Sequence, residues 1–266
     1  MFLIDSHCHL NKIDTKPSKK KILNIIQEAY KKNVKIILSV ATSINDFKEI
    51  QSLLKNAPYN IFYSCGIHPL FSYKKKNSYT ELKNFSTQKK VIAIGETGLD
   101  YFHEKKKSHF QEELFYQHIS VSKDLQKPLI IHSRNSSQDI LKILKSENSG
   151  LCPGIFHSFN ENYEVAKKIL DLGFYISISG MITFKNSISL RSVLKKIPLN
   201  RLLLETDSPY LTPVPHRGKK NKPSYINYIA KHVSNLKKID IEKLSHIIKQ
   251  NFFRLFKLKK NLIILN

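Results

Sequence analysis

The chain has 266 residues, of which 41% are hydrophobic and 24% charged, with 44 Lys and Arg against 21 Asp and Glu for a formal net charge of +23. That balance supplies one sizeable core and excludes an intrinsically disordered chain, and no stretch approaches the roughly 18 consecutive apolar residues of a membrane span. The charge invites a nucleic-acid reading, but only 5 of the 44 basic residues are Arg and the chain is also rich in Asn and Ile with no Trp; lysines solvating outer helices account for the charge as readily as a functional basic face does.

In chain order, short apolar runs rich in β-branched residues alternate with longer amphipathic segments, the signature of βα units and a parallel sheet. Eight strands are expected, over Phe2 to His9, Val34 to Val40, Ile61 to His68, Val91 to Glu96, Leu129 to His132, Gly154 to His157, Phe174 to Ser179 and Leu202 to Asp207. Between the fourth and fifth, Phe110, Leu114, Val121 and Leu125 recur at helical spacing, predicting a helix from Glu104 to Lys127 that Pro128 ends. After Asp207 come a Pro-rich stretch, PYLTPVPHRGKKNKPS, expected to be an ordered loop, and two helices near Tyr225 to Leu236 and Ile241 to Phe256. Eight parallel strands in a chain of this length predict an α/β fold, a TIM (β/α)₈ barrel forming one domain over residues 1–266, since such barrels take about 250 residues.

Cys8, Cys65 and Cys152 stand far apart without C-x-x-C spacing, which argues against a disulfide framework or zinc knuckle and for a reduced compartment. With Asp5, His7 and His9 interrupting the N-terminal apolar run, no leader is expected, and the chain is read as soluble and cytoplasmic.

Several strands end in an ionisable residue at the C-terminal end, where barrel enzymes keep their chemistry. Alternation puts His7 and His9 on one face with Leu3 and Asp5 below them, Ile92 and Ile94 beneath Glu96, Ile130 beneath His132, Ile155 beneath His157, and Leu203 and Glu205 beneath Asp207. Singly, an H-x-H or a strand-end histidine is as readily a core or capping residue. Together, four imidazoles and two carboxylates at one barrel mouth, with Asp5 and Glu205 a layer deeper, would be stranded unless paired or coordinated. Six such groups exceed the needs of one tetrahedral ion, so two divalent ions (Mg²⁺, Mn²⁺ or Zn²⁺) bridged by one carboxylate are expected. Cys8, of opposite parity, is expected behind the barrel wall. His103, His109, His118, His232 and His246 fall in helical or loop segments and are read as solvated.

The stretches DSHCHL at 5–10, CGIHP at 65–69, GETGLDY at 95–101, IHSR at 131–134, FHSF at 156–159 and ETDSPYLTPVPHRGKKNKP at 205–223 resemble the TatD-type metal-dependent deoxyribonucleases of the amidohydrolase-like barrels. The resemblance spans nearly the whole chain. It implies that His7 and His9 bind one ion and His132 and His157 the other, that Glu96 bridges them, and that Asp207 binds the first ion and orients or deprotonates the attacking water; Glu96 and Asp207 are thus the catalytic candidates. His68, Arg134 and Arg217 are read as substrate-binding, with turn stabilisation (His68), a helix-start ion pair (Arg134) and tying of the Pro-rich loop (Arg217) as their structural alternatives. The implied reaction is 3′ to 5′ exonuclease action on single-stranded DNA in repair or turnover, by a two-metal route with ions about 3.5 to 4 Å apart. The expected partner is single-stranded DNA or another phosphodiester, with no membrane, and the chain acting as a monomer. Two other readings stay open: hydrolysis of a different bond (an aminoacyl-tRNA ester, a lactone or an amide), which Glu96 at the position where related barrels carry a modified Lys disfavours, and a non-catalytic nucleic-acid-binding barrel, which would have lost ligands.

Overall fold

A computed structural model of the chain describes residues 1–74, 79–147 and 153–258. Eight parallel strands, β1 (Leu3–Cys8), β2 (Val34–Ser39), β3 (Ile61–Cys65), β4 (Val91–Asp100), β5 (Leu129–Arg134), β6 (Ile155–Phe156), β7 (Tyr175–Ile178) and β8 (Leu202–Leu204), pair in sequence order. The barrel closes where Asp207 N–H donates to His7 O at 2.9 Å and His9 N–H to Ser208 O at 2.8 Å. These closing bonds run through three of the expected ligand residues, so the site and the closure are one piece of backbone. The expected TIM barrel is the fold observed.

Ten helices among the described residues wrap the sheet: α1 (Lys19–Lys31), α2 (Ile44–Leu54), α3 (Tyr79–Ser86), α4 (Tyr101–Glu104), α5 (Ser108–Leu125), α6 (Ser137–Ser146), α7 (Tyr163–Asp171), α8 (Ile188–Lys196), α9 (Ile226–Lys237) and α10 (Ile241–Leu255). Their starts follow capping chemistry: the side chains of Ser43, Asn162 and Asp240 accept from the first-turn amides of α2, α7 and α10. In α1, Ile22, Ile26 and Ala29 are buried while Lys19, Lys20, Lys21 and Lys31 are exposed, so these lysines solvate an outer helix face. No helix among the described residues is long and apolar enough to cross a membrane.

The helix expected from Glu104 to Lys127 is broken into α4, a tight turn at 105–107, and α5. Asp100 caps α4, and the buried Gln111 spans the break: its Oε1 accepts from Asp100 N–H at 2.7 Å, and its Nε2 donates to the carbonyls of Asp100 at 3.1 Å and Glu104 at 2.8 Å. Phe110 is 39% exposed; Leu114, Phe115, Ile119 and Val121 carry the buried face.

Two strands depart from strict alternation. A register shift between Asp5 and Cys8 breaks the pattern in β1. Ser6 Oγ reaches Ser177 Oγ, two strands away on β7, at 3.2 Å, so Ser6 faces the barrel interior. Asp5 accepts from Thr206 N–H at 2.8 Å, Thr206 Oγ1 at 2.6 Å and His7 N–H at 3.4 Å. Further shifts fall at Leu3/Ile4 in β1, at Tyr63/Ser64 where β3 pairs β4, and between Ile94 and Thr97 in β4, and Glu96 N–H donates to Ala41 O just beyond β2 at 3.0 Å.

Cys8 and Cys65 are buried free thiols, and burial pushes Cys8 well above the usual thiol range and Cys65 up to about 12. Neither is poised as a nucleophile. Cys152 lies outside the described residues.

Candidate metal centre

The six ionisable residues expected at the strand ends are brought into one cluster, and Glu96 divides it. Its Oε2 lies 3.6 Å from His7 Nε2 and 3.7 Å from His9 Nε2. Its Oε1 lies 2.9 Å from His157 Nε2 and 3.1 Å from His132 Nδ1. Asp207 completes the first group, with Oδ1 3.7 Å from His7 Nε2 and 3.5 Å from His9 Nε2. The ring nitrogens within each group approach closely, at 3.3 Å for His7 and His9 and 3.4 Å for His132 and His157. Asp207 itself sits in the left-handed backbone region at φ 54°, which Asp tolerates better than most residues and which directs its carboxylate while its N–H closes the barrel.

In His9 and His132 the nitrogen that faces the cluster is selected by what the other nitrogen does. His9 donates Nδ1–H to Val40 O at 2.9 Å, leaving Nε2 as a lone pair toward the cluster. Asp100 Oδ2 takes His132 Nε2 at 3.1 Å, so Nδ1 faces Glu96. Glu205 Oε1 lies 3.4 Å from His157 Nδ1 and accepts from Ser158 N–H at 2.6 Å. Glu205, expected beneath Asp207, is thus fully buried beside His157. Asp100 was not foreseen; its signal was a capping Asp before a helical pattern, and the strand reading stopped four residues short of it at Glu96.

Divalent cations fit this donor set. Four ligands at about 2.1 Å from one ion lie about 3.4 Å from one another in tetrahedral geometry. The 3.3 to 3.7 Å separations around His7, His9, Glu96 and Asp207 match that spacing but exceed most hydrogen bonds. Among the described residues three groups are spaced to hold an ion: His7, His9 and Asp207; His7, His157 and Glu205; and His68, Glu96 and His132. Glu205 Oε2, His7 Nδ1 and His157 Nδ1 are buried without a hydrogen-bond partner, the last 3.4 Å from Glu205 Oε1 as a charge contact.

Among the protein groups alone, burial opposes ionisation of Glu96, but His157, His68 and His132 around it hold its carboxyl well below the usual range. Burial likewise opposes charging His157, yet the Glu96 and Glu205 carboxylates raise it well above the usual imidazole value. Burial and the neighbouring His157 lower His7. Asp207, despite burial, is lowered by His9, His7 and His157.

His68 stands beside the cluster, its Nε2 3.5 Å from Glu96 Oε1 and its ring 4.4 Å from that of His132. Its Nδ1 accepts from Leu70 N–H at 3.2 Å, and burial pushes its pKa down to about 3, so it is a neutral imidazole with its proton on Nε2. The turn role and a position at the site therefore coexist. Arg134 is exposed, its guanidinium 4.3 Å over the Phe102 ring. Arg217 donates Nη1–H to Thr212 O at 3.1 Å and lies 3.8 Å over Phe184, contacts that tie down the Pro-rich loop. That loop is ordered as expected, with the buried Asn221 donating Nδ2–H to the carbonyls of Thr206 at 2.8 Å and Tyr210 at 2.5 Å. His118, expected to be solvated, is fully buried: its Nε2 accepts from Ile67 N–H at 2.9 Å and its Nδ1 donates to Leu114 O at 2.7 Å.

Residues 4–257 match the family model described as TatD related DNase. The chain belongs to the TatD family. It is 50% identical over 264 residues to a protein of Buchnera aphidicola (subsp. Acyrthosiphon pisum) named an uncharacterized metal-dependent hydrolase, covering 96% of this chain and 99% of that one. It is 41% identical over 256 residues to YcfH of Escherichia coli, which carries the same description, covering 96% of each. The crystal structure of YjjV, a TatD homolog from Escherichia coli, superposes with a TM-score of 0.88 at 26% identity, covering 97% of this chain and 98% of that one. A lactonase from Listeria monocytogenes superposes at 0.71 with 16% identity, covering 97% and 95%, a likeness of fold alone. Within the TatD family frame, the six clustered residues all fall inside the matched span.

Proposed function

We propose that the chain is a divalent-metal-dependent hydrolase that removes nucleotides from the 3′ end of single-stranded DNA, with His7, His9 and Asp207 holding one ion, His132 and His157 the other, and Glu96 bridging both. The observation that carries this reading is the division of labour in Glu96, whose two oxygens face different histidine pairs. The matched family description and the names of the relatives support it.

Bound divalent ions supply Lewis acidity toward a phosphoryl oxygen and lower the pKa of water. Asp207 is ionised at neutral pH because His9, His7 and His157 outweigh its burial, so its carboxylate accepts a proton from a water aimed at phosphorus. The Nε2–H of His68, at the edge of the cluster, donates to a non-bridging phosphate oxygen. Glu205 and Asp100 hold His157 and His132 in register. The net positive charge gathers the strand, a contribution that declines as salt rises.

The test is digestion of end-labelled single-stranded DNA with Mg²⁺ or Mn²⁺, with Asp207→Asn as control. Stepwise shortening from the 3′ end by the wild type, and not by the variant, is the expected result. An intact strand together with turnover of an aminoacyl ester or a lactone would replace the nuclease reading with hydrolysis of that bond.

A further inference from the structure

Aromatic rings project from the barrel mouth: Phe102 is 58% exposed, Tyr210 53% and Phe71 36%. Each is tied to the cluster below. The Tyr210 ring lies 6.0 Å from that of His9, and the Phe71 ring 6.4 Å from that of His68. Phe102 N–H donates to Asp100 Oδ1 at 3.1 Å, and the other oxygen of the same carboxylate holds His132. One side chain thus fixes both an exposed ring and a member of the site.

Arg134 adds to this surface. Its guanidinium lies 4.3 Å over the Phe102 ring, so cation and ring form a stacked pair at the C-terminal ends of β4 and β5. With strands ordered β1 to β8 around the barrel, β4 and β8 are opposite each other, and Phe102 after β4 and Tyr210 after β8 flank the cluster from opposite sides.

We propose that the Phe102–Arg134 pair and Tyr210 are stacking platforms that seat unpaired nucleobases on either side of the scissile phosphodiester, a placement that rests on the nuclease reading of the site. Every base has a π face, so aromatic and guanidinium surfaces take bases without regard to sequence. Rings on opposite sides of the mouth require the bases to splay apart, which a paired end resists. The platform therefore selects an unpaired strand.

The test is binding, read in the presence of a chelator so that no strand is consumed. A short single strand carrying 2-aminopurine near its 3′ end is compared with an abasic strand of equal length and charge. The wild type is expected to bind the base-bearing strand about tenfold more tightly and to quench 2-aminopurine, in line with the usual strength of base–aromatic stacking. Phe102→Ala and Tyr210→Ala are each expected to lose most of that advantage while binding the abasic strand unchanged, and Phe102→Tyr to restore it. Both rings are exposed, so the variants keep the fold. Equal wild-type affinity for the two strands, or an equal loss for both in Phe102→Ala, would overturn the proposal. The nuclease reading fails separately, by absence of nucleotide release once metal is supplied.

Discussion

Asp100 and His132 meet at 3.1 Å, carboxylate Oδ2 to imidazole Nε2, and that contact decides which ring nitrogen His132 turns toward Glu96. Removing such a partner from a metal-binding histidine typically weakens metal affinity by about 10–100-fold. Asp100→Ala is expected to show a loss of that size for Mn²⁺ by isothermal titration calorimetry while leaving His9, held by Val40 O, unaffected. Unchanged affinity at every site would remove Asp100 from the account.

Glu96 is the shared member of the cluster, so its loss acts on both halves at once. Glu96→Gln is expected to lower bound divalent metal per chain, measured by mass spectrometry of the native protein, and to cut turnover by at least about 100-fold. In the wild type, metal at about 100 times its dissociation constant should stabilise the fold by about 3 kcal/mol, seen as a rise in Tm that a chelator reverses. Glu96→Gln should show little of that rise.

Much of this was legible because the ligands close their own strands. His132 and His157 end short β-branched runs, and that pattern alone placed them at the barrel mouth. What the residues did not display is the register shifts at Asp5–Cys8 and Ile94–Thr97, because a bulge is a property of pairing with a neighbour and alternation within one strand cannot reveal it. Asp5, whose carboxylate accepts from both Thr206 and the His7 N–H, lies at one of these shifts. Asp100 was missed for a related reason: β4 runs to residue 100, and the glycines at 95 and 98 masked its continuation.

One of those glycines gives a sharp stability test. Gly98 has φ +127°, and a Cβ there would fall 2.1 Å from His132 O. Gly98→Ala strains its own backbone and displaces the segment that carries His132. A destabilisation above about 2 kcal/mol in chemical denaturation is expected. A neutral substitution would contradict the close approach of β4 and β5 at this point.

His118 links acid stability to a group outside the cluster. Burial pushes its pKa from 6.5 down to about 4, so the folded chain keeps the imidazole neutral where the unfolded chain protonates it. Its contribution is full above pH 6.5, falls as pH drops through that value, and is lost near pH 4, a change of about 3 kcal/mol. His118→Gln keeps an acceptor for Ile67 N–H without titrating. Its denaturation free energy should therefore lack that slope between pH 6.5 and 4. Parallel pH profiles for variant and wild type would show that His118 titrates normally.

The most direct measurement is an anomalous-difference map from a crystal loaded with Mn²⁺. Two peaks on either side of Glu96 are predicted, one among His7, His9 and Asp207 and the other among His132 and His157. A map with no peak in contact with Glu96 would contradict the shared metal centre on which the hydrolase reading depends.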